Sequence, residues 1–325
     1  MRFVAMDEEL AIPAYGRHRL SPQGSLFALG LPLVPEKFLP GVMKFFERYF
    51  VADGSFGIER SFPHIAAYAL LGYQDDISPA NPLEIFGNVL IDRQKGFYVF
   101  RDRWQDDRDF VASIYLKQEP LRGSWSFPDE GSFRIWGLGH RWAKAGISKP
   151  RKENENVLVR QTDITPGAKP IYVETKPDGS GVVSLVQDNW LRSFAVDYTR
   201  KSGTPGLFVV VDRLELQTEN DFLPKTWLMH TEGKVSIGDD TFTIESPEGK
   251  TLQGTFISPE GVQLSYQDTE LGGVVRATGI NNFFVVMTVQ ADDPPKVERE
   301  GNGIDTIVRV GKRQISFAEN RIIFQ

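Results

Sequence analysis

The sequence predicts a mainly β protein: a large antiparallel β-sandwich, a short α-helical N-terminal segment and a smaller C-terminal β-domain. Three observations carry this. Apolar residues before residue 80 recur at helical spacing, those after it fall in short alternating runs, and glycine- or Pro/Asp-rich turns separate the runs every 8 to 15 residues or so. The expected organisation is a helical segment over 1–80, the main sandwich over 81–245 and a C-terminal antiparallel sheet region over 246–325.

The helical segment rests on PEKFLPGVMKFFERYF, where Phe38, Val42, Phe45, Phe46, Tyr49 and Phe50 share one face, with Asp53-Gly54 as its stop. Pro63 opens a second expected helix, FPHIAAYALLGY, and Pro79, Asn81 and Pro82 mark the boundary. Beyond it, FVASIYLK puts Phe110, Ala112, Ile114 and Leu116 on one face of a strand. GFYVFR, SFRIW, NVLVRQ, SGVVSLV, RSFAVDYT, LFVVVDRL, TWLMHT and TFTIES follow as strands, then TLQGTFIS, VQLSYQ, GVVRAT, NNFFVVMTVQ, DTIVRVG and RQISFA. Pro294-Pro295 separates the last strands from the main body.

Composition narrows the function. With 37 basic and 43 acidic side chains the net charge is −6, which argues against general nucleic-acid binding. There is no cysteine, so thiolate zinc sites and a cysteine nucleophile are excluded, and His18, His64, His140 and His230 bound any histidine chemistry. No apolar run is long enough to span a bilayer and MRFVAMDEEL does not read as a signal peptide, so no membrane partner is expected and a cytoplasmic location is the default. P-loop, HExxH and GxSxG motifs are missing from any convincing context, and Ser132 has no histidine in register for a serine hydrolase.

The segment DEGSFRIWGLGHRWAKAG, a polar loop entering a strand that turns into a second one, resembles the Asp-x-Gly-Ser-Phe strand entry of heparinase II/III-like polysaccharide lyases. GFYVFRDRW (96–104), ENENVLVRQ (153–161), the long RSFAVDYTRKSGTPGLFVVVDRLE hairpin (192–215) and TWLMHTEGKV (226–235) resemble that family's strands in the same order, and IPAYGRHRLSPQGSLFALGLP (12–32) its linker. The resemblance implies a supersandwich-like β-sandwich following an α/α toroid, of which residues 1–80 hold only the end. It implies β-elimination on an acidic, uronate-containing polysaccharide such as a glycosaminoglycan or alginate. Such a reaction needs a group to neutralise the carboxylate, a base for the C5 proton and an acid for the leaving oxygen.

The departures from the family pattern fall on the chemistry. Where the loop resembled has two histidines, Trp125 and Phe127 stand here, and a further family ligand position falls near Lys144. Trp and Phe neither move a proton at neutral pH nor bind zinc. Only His230 matches a ligand position, so no metal cofactor is expected and a hydrogen-bonded structural histidine is the simpler reading. If the chain is active, the missing acid and base would come from another polypeptide, or from Tyr15 and His18 near the expected interface in an unusual arrangement. QDDRD (105–109) reads as an exposed turn rather than a cation site.

One stretch points to binding. Gly131 to Lys152 contains no acid but holds Arg134, His140, Arg141, Lys144, Lys149, Arg151 and Lys152, with Trp136 and Trp142. Guanidinium forks suit carboxylates and sulfates, and indole faces suit sugar rings. The contact set expected for an acidic glycan is Trp125, Asp129, Arg134, His140, Arg141 and Lys144, with Asp129 organising the loop. The rival reading is a hairpin whose charges pair with acids elsewhere, the 105–109 cluster for instance. Three functions stay open: a lyase, a non-catalytic glycan-binding or scaffold protein, and the β-subunit of a split lyase that docks a separate toroid through its helices. An exposed apolar face on the 38–50 helix would favour the last, and its burial on the sandwich would disfavour it.

Overall fold

The computed structural model describes residues 15, 30–48, 73, 76–106, 108–118, 129–146, 151–160, 167–215, 223–257, 261–270, 272–280 and 282–325. Among them lie four antiparallel sheets arranged in three layers.

The first sheet is a meander of β1 (Val89–Asp92), β2 (Phe97–Arg101), β3 (Phe110–Tyr115), β4 (Ser132–Gly137) and β5 (His140–Ala143). Beside it lies a four-stranded sheet in the order β15 (Gln263–Thr269), β16 (Gly272–Gly279), β11 (Lys225–Thr231), β6 (Leu158–Val159). An antiparallel bridge between Lys144 and His230 joins the two edges, so they form one layer with a seam. The middle layer is an eight-stranded sheet. Its order is β12 (Lys234–Ile237), β13 (Thr241–Glu245), β14 (Thr251–Phe256), β17 (Phe283–Gln290), β10 (Gly206–Leu214), β9 (Trp190–Asp197), β8 (Gly181–Gln187), β7 (Lys169–Thr175). The third layer is a meander of β18 (Val297–Glu300), β19 (Ile307–Val310), β20 (Arg313–Ala318) and β21 (Arg321–Phe324).

The apolar runs follow from this layering. In β10, Phe208 and Val210 face the first layer, whereas Leu207, Val209 and Val211 face the C-terminal sheet. A strand covered on both faces needs no polar alternation, so LFVVVDRL reads as continuous. The expected face of β3 is buried as a row, from Phe110 through Ala112 and Ile114 to Leu116. Val111 and Ser113 on its other face are buried as well.

Several expectations need correction. One sheet runs through residue 245, since β13 and β14 are hydrogen-bonded neighbours, and the strands from β18 on form a sheet of their own. The helix expected from residue 38 is α1 (Leu39–Phe46), entered through a 3-10 turn at Glu36–Phe38. Pro40 in its first turn fits the start of a helix. A short α2 (Pro82–Phe86) stands where only a boundary was expected, with Asn81 accepting from the Leu83 N–H as its cap. Apart from Tyr73, the second expected helix lies outside the described residues, as do Tyr49, Phe50 and Asp53-Gly54.

The apolar face of α1 is covered. Val42, Met43, Phe45 and Phe46 are buried, and Phe45 stacks on Trp104 from the sandwich at 6.2 Å between centroids.

Candidate functional site

The Asp129–Phe133 motif is the anchor of the site, and each of its residues has a physical role. Gly131 has φ +75°, and a Cβ there would stand 2.6 Å from the Trp190 ring, so only glycine serves. Phe133 stacks on Phe194 at 5.6 Å in the core. The Ser132 hydroxyl donates to Glu155 Oε2 at 2.9 Å while accepting from Arg134 Nη1 at 2.6 Å. Asp129 pairs with Lys117 Nζ at 3.2 Å, and Glu130 lies 3.6 Å from the same ammonium.

Arg192 fixes this motif from the middle layer. It grips Asp212 with two hydrogen bonds of 2.7 and 2.8 Å and donates its remaining nitrogen to the carbonyls of Gly131 and Asn156. Asn156 sews the seam: its amide donates to the carbonyls of Phe133 and Lys144, and its oxygen accepts from the His230 N–H.

On the outer face of the first sheet, Ser113 of β3 lies opposite Arg134 of β4. Tyr15 covers both, with its hydroxyl 2.8 Å from Ser113 Oγ and the Arg134 guanidinium 4.4 Å from its ring centroid. Burial pushes the Tyr15 hydroxyl above its ordinary range, although Arg134 acts in the opposite direction. Arg134 is nonetheless saturated, with Glu155 Oε2 at 2.6 Å and the Phe133 carbonyl at 2.9 Å. Burial, then the nearby Glu155 charge, pushes Asp129 up to about 7 against the pull of Lys117.

Across the seam, Glu232 joins the two remaining cations. Its carboxylate lies 3.2 Å from Lys144 Nζ and 3.8 Å from Arg141 Nη1. Lys144 is buried and its pKa is lowered by that burial, while the Glu232 side chain is 33% exposed. Arg141 also approaches the Trp136 ring, at 5.8 Å.

The structure thus gathers Tyr15, Asp129, Arg134, Arg141, Lys144 and His230 in neighbouring positions. His140 falls elsewhere: strand alternation turns it to the opposite face of β5, where its ring meets Trp142 edge-on at 4.7 Å. Trp125, Phe127 and His18 lie outside the described residues. The basic island is not an open patch. Among its described cations Arg134 pairs with Glu155, and Arg141 and Lys144 with Glu232, whereas the described acids of the 105–109 cluster are used locally by Arg101, Arg103 and Arg108. Lys117, Ser113, Glu155, Asn156 and Glu232 escaped the sequence reading. Only Glu155, the second acid after the acid-free stretch, carried a usable signal.

The described members of the implied metal set do not fit a divalent cation. His230 Nε2 lies 2.8 Å from the Glu153 carbonyl, which accepts only, so Nε2 carries the proton. Nδ1 is then the lone-pair nitrogen, and it faces the Gly146 backbone, where a Cβ would come within 2.9 Å of it. Burial holds His230 neutral by lowering its pKa to about 4. Lys144, charged and paired, offers no lone pair. Among the described residues no three His, Asp or Glu side chains converge as metal ligands.

Solved structures share this architecture. The chain aligns with a heparinase III bearing methylated lysines at a TM-score of 0.65 and 13% identity, over 99% of its own length and 50% of the other. The fold is that of one half of heparinase III. The heparan sulfate lyase HepC from Pedobacter heparinus aligns at 0.63 and 12%, over 99% of this chain and 51% of that one. A further heparinase III aligns at 0.54 and 11%, over 93% and 62%. The chain therefore spans about half the length of the first of these heparinases. No protein-family model and no curated protein matches the sequence.

Proposed function

We propose that this chain binds an acidic, uronate-containing polysaccharide at the seam of the first layer, without completing β-elimination from its described residues. The observation that carries this is the Glu232 carboxylate, held between Lys144 and Arg141 at 3.2 and 3.8 Å. Two cations around one partly exposed carboxylate are a seat for a carboxylate. A uronate takes that seat when Glu232 swings out, and the Arg141 guanidinium, backed by the buried Trp136 ring, offers its fork to the sugar carboxylate.

An acid–base pair is harder to find here. The Tyr15 hydroxyl is kept protonated and shared with Ser113, so it does not serve as the base. Asp129 titrates near neutrality but is only 4% exposed and is packed on Lys117. The heparinase III fold supports the substrate class, although fold alone does not carry activity. The covered face of α1 counts against docking a separate helical toroid there.

The test is calorimetric titration of heparan sulfate and alginate, beside a lyase assay that follows the ultraviolet absorbance of unsaturated product. Arg141→Ala should weaken binding about tenfold or more, as loss of a charge-assisted contact does. Glu232→Gln should strengthen it, because the resident carboxylate no longer competes. Weaker binding in Glu232→Gln, or an absorbance rise with any substrate, would overturn the reading.

A further inference from the structure

A second cationic site lies at the turn end of the β9–β10 hairpin, away from Arg192 and Asp212, where two turns from different layers meet. The connection between β9 and β10 and the two-residue turn between β19 and β20 enclose a cleft of about 450 Å³. Its lining is Thr199, Arg200, Lys201, Gly203, Gly311 and Lys312. It thus holds three cations and no acid.

The walls are built rigidly. The Lys312 N–H donates to the Lys201 carbonyl at 2.8 Å. Gly311, at φ +56°, packs so tightly on the Ser202 carbonyl that a Cβ would stand 2.6 Å from it. Arg200 itself sits in the left-handed region at φ +61°. Asp197, the acid nearest in sequence, is buried and gripped by Arg313 at 2.7 and 3.0 Å, so its charge is already neutralised beneath the cleft. Arg313 also donates to Thr199 Oγ1 at 2.6 Å, which ties the lining to that buried pair.

Pairing elsewhere in the C-terminal sheet gives the contrast. Lys296, Arg299, Arg309, Arg313 and Arg321 each have an acidic partner within 4 Å. Lys312 is the exception, and among the described residues neither Arg200 nor Lys201 has one. In a chain of net charge −6, three exposed cations converging without a counter-charge leave a local field that attracts anions.

We infer that this cleft is an oxyanion site that takes sulfate groups, carried on a glycan chain or as the free ion. A sulfate offers several acceptor oxygens to two ammoniums and a guanidinium at once, and its charge offsets theirs. Where the sulfates belong to a polysaccharide, the cleft is a second contact that holds the chain away from the seam. The inference goes beyond the function proposed above and does not depend on it.

The test compares wild type with the Arg200→Gln, Lys201→Gln, Lys312→Gln triple variant. All three side chains are exposed, so the fold should be kept, which circular dichroism and melting would verify. One arm titrates sodium sulfate against sodium chloride at equal ionic strength. The other titrates heparan sulfate and its desulfated counterpart. Affinity for at least one sulfated probe should fall about tenfold or more in the triple variant, with a shallower salt dependence. A fall in the sodium sulfate arm alone identifies the free ion as the ligand, and a fall with heparan sulfate but not its desulfated form identifies the chain. Equal affinities of the two proteins in both arms would overturn the site. Arg141→Ala, run alongside, reports on the seam alone, so either site can fail without the other.

Discussion

Asp129 is a buried carboxyl whose ionisation is set by the groups packed around it. Its motif marked a strand entry, and the structure makes it the partner of Lys117 at the root of that entry. What the sequence did not carry is its company: Glu130 and Glu155 lie close, and burial raises it to about 7. The native state therefore holds a proton that the unfolded chain gives up near pH 4, and its contribution to stability falls as pH rises from about 4 to 7. His230 acts with the opposite sign, since its pKa is lowered to about 4 and its contribution is lost as pH falls from 6.5 toward 4. Asp129→Asn should accordingly gain stability over wild type as pH rises from 5 to 8, by on the order of 2 kcal/mol. Urea unfolding at the two pH values measures this, and a difference that is flat with pH would refute the raised carboxyl.

At the scale of elements, strands were legible wherever burial left an apolar run, and least legible at sheet edges. β7 was missed because KPIYVET is half-exposed and contains Pro170, which an edge strand tolerates. β1, β12, β18 and β21 were missed for a related reason, since each is an edge strand whose residues are mostly not buried. The long hairpin of β9 and β10 was legible as a motif, and its reason is now physical. Arg192 and Asp212 are paired in register across it, both fully buried, and together they hold the Trp190 indole and the Gly131 carbonyl. Removing one partner strands a buried charge, so Arg192→Ala or Asp212→Ala should each cost about 3–5 kcal/mol. The Arg192→Met, Asp212→Leu double variant should cost less than the sum of the single changes, because neither charge is left alone. Denaturant midpoints for the cycle would show this, and strict additivity would deny the coupling.

For the whole molecule, the three layers raise the question of whether the C-terminal sheet folds with the rest. Composition and Pro294-Pro295 suggest a break, but the interface argues for one cooperative unit. Ile315, Val308 and Val310 are completely buried against the middle layer, in one cluster with Val209, Val211 and Phe284. Polar ties cross the same interface: Arg313 reaches Asp197, and the Ile322 N–H donates to Ser193 Oγ at 3.1 Å. A sheet of four short strands has one apolar face and cannot bury it alone. The middle sheet, for its part, would lose the cover over its second face. Ile315→Ala removes apolar volume from the shared core and should destabilise by about 2–5 kcal/mol. The loss should appear in a single transition that moves as a whole, whether followed by far-ultraviolet dichroism or by fluorescence of Trp190 and Trp227 in the other core. An early transition seen by dichroism, with the tryptophan signal unmoved, would mean that the last sheet melts independently. The oxyanion cleft, built from one turn of the middle layer and one of the C-terminal sheet, would then be lost well before the seam site.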